Sequence, residues 1–227
     1  MKTPLPIQAL YPNSPIYPKR LLDLRDPPSP LYICGNPALF QLPAIAIVGS
    51  REASLQGMYI ASQFAKGLND AGYLVISGLA RGIDGAAHRS ALTPPLARTA
   101  AVCGTGLDLV YPYAHRALAQ AISEQGLLIS EFSVGVGPKP FHFPRRNRLI
   151  AALALGVVVV EATTRSGSLI TAHLAAEMGR EVFAVPGSIL GNRSEGCHQL
   201  IQNGAKLAHT LADILSEFPD VNPPNMR

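Results

Sequence analysis

The stretch that decides the fold reads GVVVVEATTRSGSL and runs from Gly156 to Leu169. Its first part holds four consecutive valines, which are β-branched and apolar, so the strand that they form is apolar on both faces. Such a strand is typical of the centre of a parallel sheet that helices cover on both sides. Small and hydroxyl residues follow and lead into an apolar segment. The stretch therefore predicts a buried parallel strand, a tight turn and a helix.

The same alternation of short apolar runs with helical segments extends to both sides of this stretch. It predicts strands at residues 44–48, 73–77, 99–103, 127–130, 156–160 and 181–185. It predicts helices at residues 83–92, 116–123, 145–155, 168–178 and 195–203. One more helix is indicated by Ile60, Phe64 and Leu68, which recur every four residues, and Gly72 is placed to end it. We therefore expect an α/β fold with an extended Rossmann-like, doubly wound and mostly parallel sheet.

The chain divides into three segments. Residues 1–43 are rich in proline and aromatic residues, which favours an extended lead-in packed on the core over regular structure. Residues 44–217 are expected to form the Rossmann-like domain, and residues 218–227 a tail.

Composition excludes several classes of protein. Of the 227 residues, 48% are hydrophobic and only 15% are charged, which argues against disorder. The sequence has neither an apolar run long enough to span a membrane nor a signal-peptide pattern, so we expect a cytoplasmic protein without a membrane partner. Its cysteines, Cys34, Cys103 and Cys197, are far apart and form no CxxC pair, so we expect them to be small buried residues.

Three of the predicted strands end in turns that contain glycine and lead into helices. They are Gly49 to Arg51, residues 77–84 and residues 161–168. Glycine lets a backbone turn tightly or lets a ligand approach closely, and amide groups at a helix N-terminus favour an anion. Taken alone, the glycine in any one of these turns is explained by the tight turn itself and needs no ligand. Three such turns together favour a phosphate-binding edge, where Arg51 can donate two hydrogen bonds to one phosphate.

A second feature is the segment PKPFHFPRRNR at residues 138–148, which mixes cations with aromatic rings. No acidic residue occurs between Glu131 and Glu161, so its positive charge is expected to persist locally although the net charge is only +4. Cations that follow the backbone and rings that stack on unpaired bases are how proteins bind single strands. Core packing of Phe141 and Phe143, or a solvated helix face for the arginines, is the alternative.

Other patterns point away from cofactors and catalysis. Leu109 stands where the third small residue of a dinucleotide fingerprint would follow Gly104 and Gly106, and no P-loop motif occurs. Asp84 and His88, four residues apart on a predicted helix, give only two ligands of a metal site. We expect no cofactor, no metal and no catalytic residue.

These motifs together resemble the DNA-processing protein A (DprA/Smf) family over roughly residues 15–215. The resemblance rests on VGSR at 48–51, SGLARGID at 77–84 with His88, FPRRNR at 143–148, SGSLITA at 166–172 and VFAVPG at 182–187. It implies that residues 44–217 are a DNA-binding domain, that the protein forms a homodimer, and that it hands single-stranded DNA to the RecA recombinase in natural transformation. The implied DNA-binding residues are Gly49, Ser50, Arg51, Lys139, Phe141, Phe143, Arg145, Arg146, Asn147, Arg148, Ser166, Gly167 and Ser168.

The sequence thus predicts a protein that binds and protects incoming single strands and loads RecA, and that is not an enzyme. The alternative is a nucleotide-binding enzyme similar to the lysine-decarboxylase-like phosphoribohydrolases. Those enzymes have a PGGxGT-type turn, whereas residues 163–168 read TTRSGS and lack the double glycine. A protein-interaction scaffold without affinity for oligonucleotides is a third hypothesis.

Overall fold

The computed structural model of the protein describes residues 6–94 and 96–218, and within them nine strands form one central sheet. The strands are β1 (Gln8–Leu10), β2 (Leu31–Gly35), β3 (Ala44–Gly49), β4 (Leu74–Ser77), β5 (Thr99–Val102), β6 (Leu127–Ser130), β7 (Gly156–Val160), β8 (Glu181–Ala184) and β9 (Lys206–Leu207). The α-helices are α1 (Leu55–Asp70), α2 (Ile83–Ala91), α3 (Arg116–Gln125), α4 (His142–Leu153), α5 (Gly167–Glu177), α6 (Glu195–Gln202) and α7 (Leu211–Leu215). Short 3-10 helices lie at Lys19–Asp23, Pro37–Gln41 and Tyr113–His115.

The order of the strands creates an open crevice in the middle of the sheet. That order is β1-β2-β6-β5-β4-β3-β7-β8-β9, with the strands from β3 to β9 parallel and β1 and β2 antiparallel at one edge. From β3 the chain builds the sheet outward to β6, returns to place β7 beside β3, and continues to β9 in the other direction. The carboxyl ends of β3 and β7 are therefore a topological switch point, the position where open α/β sheets bind ligands.

The four valines of β7 are buried on both faces of the sheet, as their sequence predicts. Val157 and Val159 pack into the core on one face of the sheet, while Val158 and Val160 pack into the core on the other. All four are 0% exposed. Because burying one such side chain contributes roughly 1.5–3 kcal/mol, this strand strongly favours the central position in the sheet.

The α/β fold class with a mostly parallel, doubly wound sheet is confirmed. Each of the predicted strands is present, with ends that differ by at most one residue. Gly72, expected to end α1, has a φ of 90°, a conformation that favours glycine. The helix predicted to start at residue 145 starts at His142 instead, so Pro144 lies in its first turn. Proline is tolerated there because the backbone amides of the first turn have no partner within the helix, and the missing N–H of proline breaks no hydrogen bond.

The lead-in differs from its prediction, because it contains regular structure. β2 pairs with β6, and β1 pairs with β2, so this segment extends the sheet by two strands. Leu21 and Leu31 are fully buried, and the Tyr17 hydroxyl donates to Pro28 O at 2.8 Å. The prolines flank these strands, and β1 lies at the edge of the sheet. The missing N–H groups of the prolines therefore do not interrupt hydrogen bonding between central strands. The expected tail lies outside the described residues except for Phe218.

The cysteines are buried, as predicted. Burial raises the pKa of Cys103 to about 12 and that of Cys197 to about 11, which keeps both thiols neutral. Among residues 6–94 and 96–218, no three His, Cys, Asp or Glu side chains come together in a way that could hold a metal ion. Within the same residues, no helix has the length and apolar character needed to cross a membrane.

His88 in α2 is buried as a neutral side chain. Its Nδ1 lies 2.7 Å from Thr99 Oγ1, and that hydroxyl donates to Val75 O at 2.9 Å, so Nδ1 is the nitrogen that carries the proton. Burial, followed by the nearby His115, lowers the pKa of His88 to about 3. His88 is therefore a core residue in this fold.

The buried histidine makes stability depend on pH. Below about pH 6.5 the unfolded chain binds a proton on His88 that the native state does not, so the free energy of unfolding falls by up to about 1.4 kcal/mol per pH unit as the pH drops. We expect urea unfolding of His88→Asn to show a shallower loss of stability between pH 6 and pH 4 than the wild type. His173→Asn, at an exposed position of α5, is the matched control. Equal slopes for wild type and His88→Asn would contradict a neutral buried histidine.

Candidate nucleic-acid interface

A cavity of about 430 Å³ opens at the carboxyl ends of β3 and β7, and we call it the main cavity. Four segments that are distant in sequence contribute its walls: the turn after β3, the turn from β4 to α2, the start of α4 and the turn after β7. Its lining residues are Val48, Gly49, Ser50, Arg51, Glu52, Ala80, Asp84, Phe143, Pro144, Arg146, Asn147, Ile150, Thr163, Arg165, Ser166, Gly167, Ser168, Ile170 and Thr171.

The turn after β3 projects Arg51 into solvent at the edge of this cavity. A Cβ on Gly49 would lie 1.9 Å from Val160 O, so only glycine lets β3 pass this close to the end of β7. The Ser50 amide donates to Glu161 O at 2.8 Å, and Ser50 O accepts from the Ile83 amide at 3.2 Å. These contacts fix the turn from both sides, which leaves the exposed Arg51 side chain on a rigid base.

The turn after β7 supplies hydroxyl groups, an arginine and the start of α5. The Ser166 side chain accepts from the Ser168 amide and caps the helix, and the Asn147 side chain donates to Gly167 O at 3.1 Å. A Cβ on Gly167 would meet no atom within 4 Å, so the space above the turn is open. Arg165 is exposed and lines the main cavity, although the sequence analysis did not select it. Its position inside the third glycine-containing turn was the available signal.

Arg146 differs from its expected role as a phosphate contact, because it is 4% exposed and its guanidinium is already bonded. Nη1 donates to Gly78 O at 2.5 Å and also to Val102 O, and Nε donates to Asn147 Oδ1 at 3.2 Å. A Cβ on Gly78 would lie 2.6 Å from this guanidinium. Arg146 therefore stabilises the floor of the cavity rather than reaching into solvent.

Asp84 completes this buried arrangement. Its carboxylate accepts from the amides of Gly78 at 3.1 Å and Ala80 at 3.2 Å. Burial raises the pKa of Asp84 and lowers the pKa of Arg146, and the charge of each residue opposes part of the shift of the other. The pair holds the turn after β4 against α4, and it belongs to the scaffold of the site.

Arg145 and Arg148 also differ from the expected positions, because neither lines the main cavity. Arg145 Nε lies 2.9 Å from Glu131 Oε2, and Arg148 Nη2 lies 2.5 Å from the same oxygen. Arg148 Nη1 donates to Asp26 O at 2.6 Å. Glu131 is the last acidic residue before the stretch without acidic residues. In the folded chain its carboxylate, which is 4% exposed, lies next to these arginines. Glu131 therefore neutralises part of the positive charge that the sequence predicts to persist around residues 138–148.

The two phenylalanines occupy different environments. Phe143 is half-buried and lines the main cavity, with the Arg51 guanidinium 5.6 Å from its ring centroid. Phe141 is 63% exposed and lies outside the cavity, with Lys139 Nζ 5.9 Å from its ring. Phe143 is therefore the aromatic face available at the main cavity.

A second and smaller cavity of about 320 Å³ lies against the first, and we call it the side cavity. It shares Arg51, Ala80, Phe143 and Arg146 with the main cavity. Tyr111, another residue that the sequence analysis did not select, lines it with a ring centroid 5.2 Å from that of Phe143. The local sequence gives no sign that Tyr111 belongs to the site, because the residue that it contacts there, Phe143, is distant along the chain.

The main cavity thus contains most, but not all, of the residues expected at the site. Those that line it are Gly49, Ser50, Arg51, Phe143, Arg146, Asn147, Ser166, Gly167 and Ser168. Those that do not are Lys139, Phe141, Arg145 and Arg148. The lining is cationic in balance, with three arginines against the carboxylates of Glu52 and Asp84. Arg146 and Asp84 are buried and bonded to the backbone, which leaves the exposed Arg51 and Arg165 against the exposed Glu52.

Comparison of sequences identifies related proteins. DNA processing protein DprA of Streptococcus pneumoniae is 49% identical over 202 residues, which cover 89% of this chain and 71% of that protein. Protein Smf of Escherichia coli is 46% identical over 207 residues, which cover 91% of this chain and 55% of that protein. The chain thus spans between about half and three quarters of the length of these relatives.

Solved structures agree with the sequences. The structure of DprA from Streptococcus pneumoniae has a TM-score of 0.89 and 47% identity, covering 94% of this chain and 74% of that chain. That of DprA from Helicobacter pylori, which concerns the single-stranded DNA binding mode of that protein, has a TM-score of 0.86 and 28% identity, covering 95% of this chain and 97% of that chain. A molybdenum cofactor binding protein from Rippkaea orientalis, at 16% identity and a TM-score of 0.55, shares the fold alone.

A family model described as DNA recombination-mediator protein A matches residues 8–219, nearly the whole chain. Together with the relatives named DprA and Smf, this match confirms the resemblance seen in the motifs. The chain belongs to the DNA recombination-mediator protein A family, the family of the DprA and Smf proteins.

Proposed function

We propose that the protein binds single-stranded DNA in the main cavity, with little regard to base sequence. The observation that carries the proposal is the meeting of Arg51, Arg165 and the ring of Phe143 at the carboxyl ends of β3 and β7. Exposed guanidinium groups bind phosphates, and an accessible ring stacks on a base. The single-stranded DNA binding mode studied in the related protein of Helicobacter pylori supports the same class of ligand.

The site favours an unpaired strand over a duplex. A duplex keeps the faces of its bases stacked inside, whereas a flexible single strand can turn a base toward the half-buried Phe143. The phosphate beside that base would then lie near Arg51 and the amide groups at the start of α5. Since stacking and phosphate contacts are available with every base, discrimination between sequences is expected to be small.

We propose a binding role without catalysis. Two of the carboxylates near the cavity are committed to structural bonds: Asp84 accepts from two amides, and Glu161 accepts from the Ser54 amide at 2.8 Å and from the Ser54 hydroxyl. Neither is free to act as a base on a bound nucleotide. The alternative, a phosphoribohydrolase that uses a glutamate to cleave nucleoside monophosphates, would therefore have to use Glu52, which also lines the cavity and is exposed to solvent.

From family membership we further propose a cytoplasmic homodimer that protects incoming strands and loads RecA recombinase during natural transformation. The names of the family and of its relatives, which refer to DNA processing and to the mediation of recombination, support this wider role.

Arg51 is the phosphate anchor in this proposal. Arg51→Ala should weaken binding of an oligothymidylate in a filter-binding titration, and should reduce the slope of log K against log salt by about 0.7, the value for one phosphate contact with a single strand. Arg165→Ala should act in the same direction. Arg145→Ala, whose guanidinium is paired with Glu131, should have a smaller effect.

Arg89→Ala, at an exposed position of α2 outside both cavities, is the matched control and should leave the slope unchanged. The proposal would be contradicted if the salt slope were unaltered in Arg51→Ala and Arg165→Ala but reduced in Arg145→Ala. That result would indicate that DNA binds at the face around Glu131.

The absence of catalysis can be tested directly. Purified protein incubated with each of the common nucleoside monophosphates should release no free base above the level of a protein-free control, as followed by chromatography. Release of base that disappears in Glu52→Gln or Glu161→Gln would favour the enzyme hypothesis.

The role in recombination predicts a kinetic effect on RecA. Addition of the protein should shorten the delay before RecA covers a labelled single strand, because the protein would hold the strand in an accessible form. Arg51→Ala should lose most of this effect at protein concentrations where it no longer binds DNA. An identical delay with and without wild-type protein would refute RecA loading.

A further inference from the structure

The side cavity has the shape of a second compartment of the same groove. Arg51 and Phe143 form part of the wall between the two cavities and line both. The residues that only the side cavity has are Gly78, Arg81, Tyr111, Pro112 and Ala114. A chain that occupies the main cavity and passes Arg51 therefore enters the side cavity next.

Tyr111 offers an aromatic face in this second compartment. Its side chain is 47% exposed, and its ring is tilted by 42° against that of Phe143 at a centroid distance of 5.2 Å. Phe143 thus has the Arg51 guanidinium 5.6 Å from its centroid and also contacts the ring of Tyr111. An exposed tyrosine beside a cationic cavity has a free face on which a base can stack.

The charge of the side cavity suits a polyphosphate chain. Arg51 and the exposed Arg81 line it, and the described residues that line it include no aspartate or glutamate, while Asp84 lies behind the wall, bonded to the amides of Gly78 and Ala80. The helical turn that follows Pro112 adds a further cation, since Arg116 donates to the Tyr113 hydroxyl at 2.8 Å and lies 5.1 Å from the centroid of that ring. Positive charge therefore continues away from the main cavity in this direction.

We propose that the side cavity holds the neighbouring nucleotide of a bound single strand, with its base stacked on Tyr111. The phosphate between the two nucleotides lies near Arg51, and the next phosphate lies near Arg81. This inference rests on the proposed binding of single-stranded DNA in the main cavity. It gives the protein two adjacent stacking positions, one on Phe143 and one on Tyr111.

A purely structural role for Tyr111 makes a different prediction. If the ring only supports Phe143, Tyr111→Leu weakens binding of an oligothymidylate and of an abasic oligonucleotide of equal length by the same factor, because the lost contact is between two side chains. If the ring stacks on a base, the loss is larger for the oligothymidylate than for the abasic chain. Titration of Tyr111→Phe and Tyr111→Leu with both oligonucleotides therefore separates the two roles.

The experiment measures the affinity of each variant for a fluorescent oligothymidylate by anisotropy, at one fixed salt concentration. We expect Tyr111→Leu to bind at least about fivefold more weakly than the wild type, the lower end of what one stacked base contributes. Tyr111→Phe should bind as tightly as the wild type. Tyr59→Leu, at an exposed tyrosine of α1 outside both cavities, is the matched control and should have no effect.

A second variant keeps the test valid if Tyr111→Leu does not fold. Arg81→Ala changes an exposed side chain and should reduce the slope of log K against log salt by about 0.7.

Two results would overturn the proposal that the side cavity holds a nucleotide and would leave the proposed function standing. One is wild-type affinity in Tyr111→Leu. The other is an unchanged salt slope in Arg81→Ala while Arg51→Ala binds more weakly. Equal weakening by Tyr111→Phe and Tyr111→Leu would also overturn stacking. Failure of the wild type to bind the oligonucleotide at all would instead refute the proposed function.

Discussion

The close passage of β3 beside β7 is the constraint on which the site depends. The two strands are neighbours in the sheet but are separated by about a hundred residues of chain, and from them the sheet grows in opposite directions. Their carboxyl ends therefore open into a crevice that no crossover connection fills. Gly49 is what permits the contact, since any Cβ would collide with Val160 O. The turns that leave these strands bring both Arg51 and Arg165 to the wall of one cavity.

Beneath the exposed arginines lies a buried polar layer that keeps the cavity in shape. Arg146 donates to carbonyl groups at the ends of β4 and β5, and Asp84 accepts amides from the turn after β4. Removing either side chain would leave buried backbone groups without a partner, which typically costs about 1–3 kcal/mol. The site thus combines two kinds of arginine: a buried one that holds backbone, and exposed ones whose donors remain available to phosphate. The same residue type is buried and bonded to backbone in one place and exposed to solvent in another.

The fold was accessible from the sequence because its signals are local. Runs such as Val157 to Val160 identify central strands by themselves, and the glycine-containing turns identify the edge of the sheet where the main cavity opens. What failed depends on contacts between distant segments. Glu131 neutralises Arg145 and Arg148 only after β6 and α4 have come together, and Tyr111 reaches Phe143 only in the folded chain. The strand Leu31–Gly35 was missed because its proline-rich surroundings outweighed its own apolar pattern.

Mapping the contact sites of a bound strand tests the central claim most directly. An oligothymidylate that carries 4-thiothymidine can be crosslinked to the protein by light, and the adducts can be located by mass spectrometry of the digested protein. We expect adducts in the peptides that contain Arg51, Phe143 and the turn from Thr163 to Ser168, all of which line the main cavity. Adducts confined to Lys139, Phe141 and the surroundings of Glu131, with none on the turns after β3 and β7, would contradict a binding site at the switch point of the sheet.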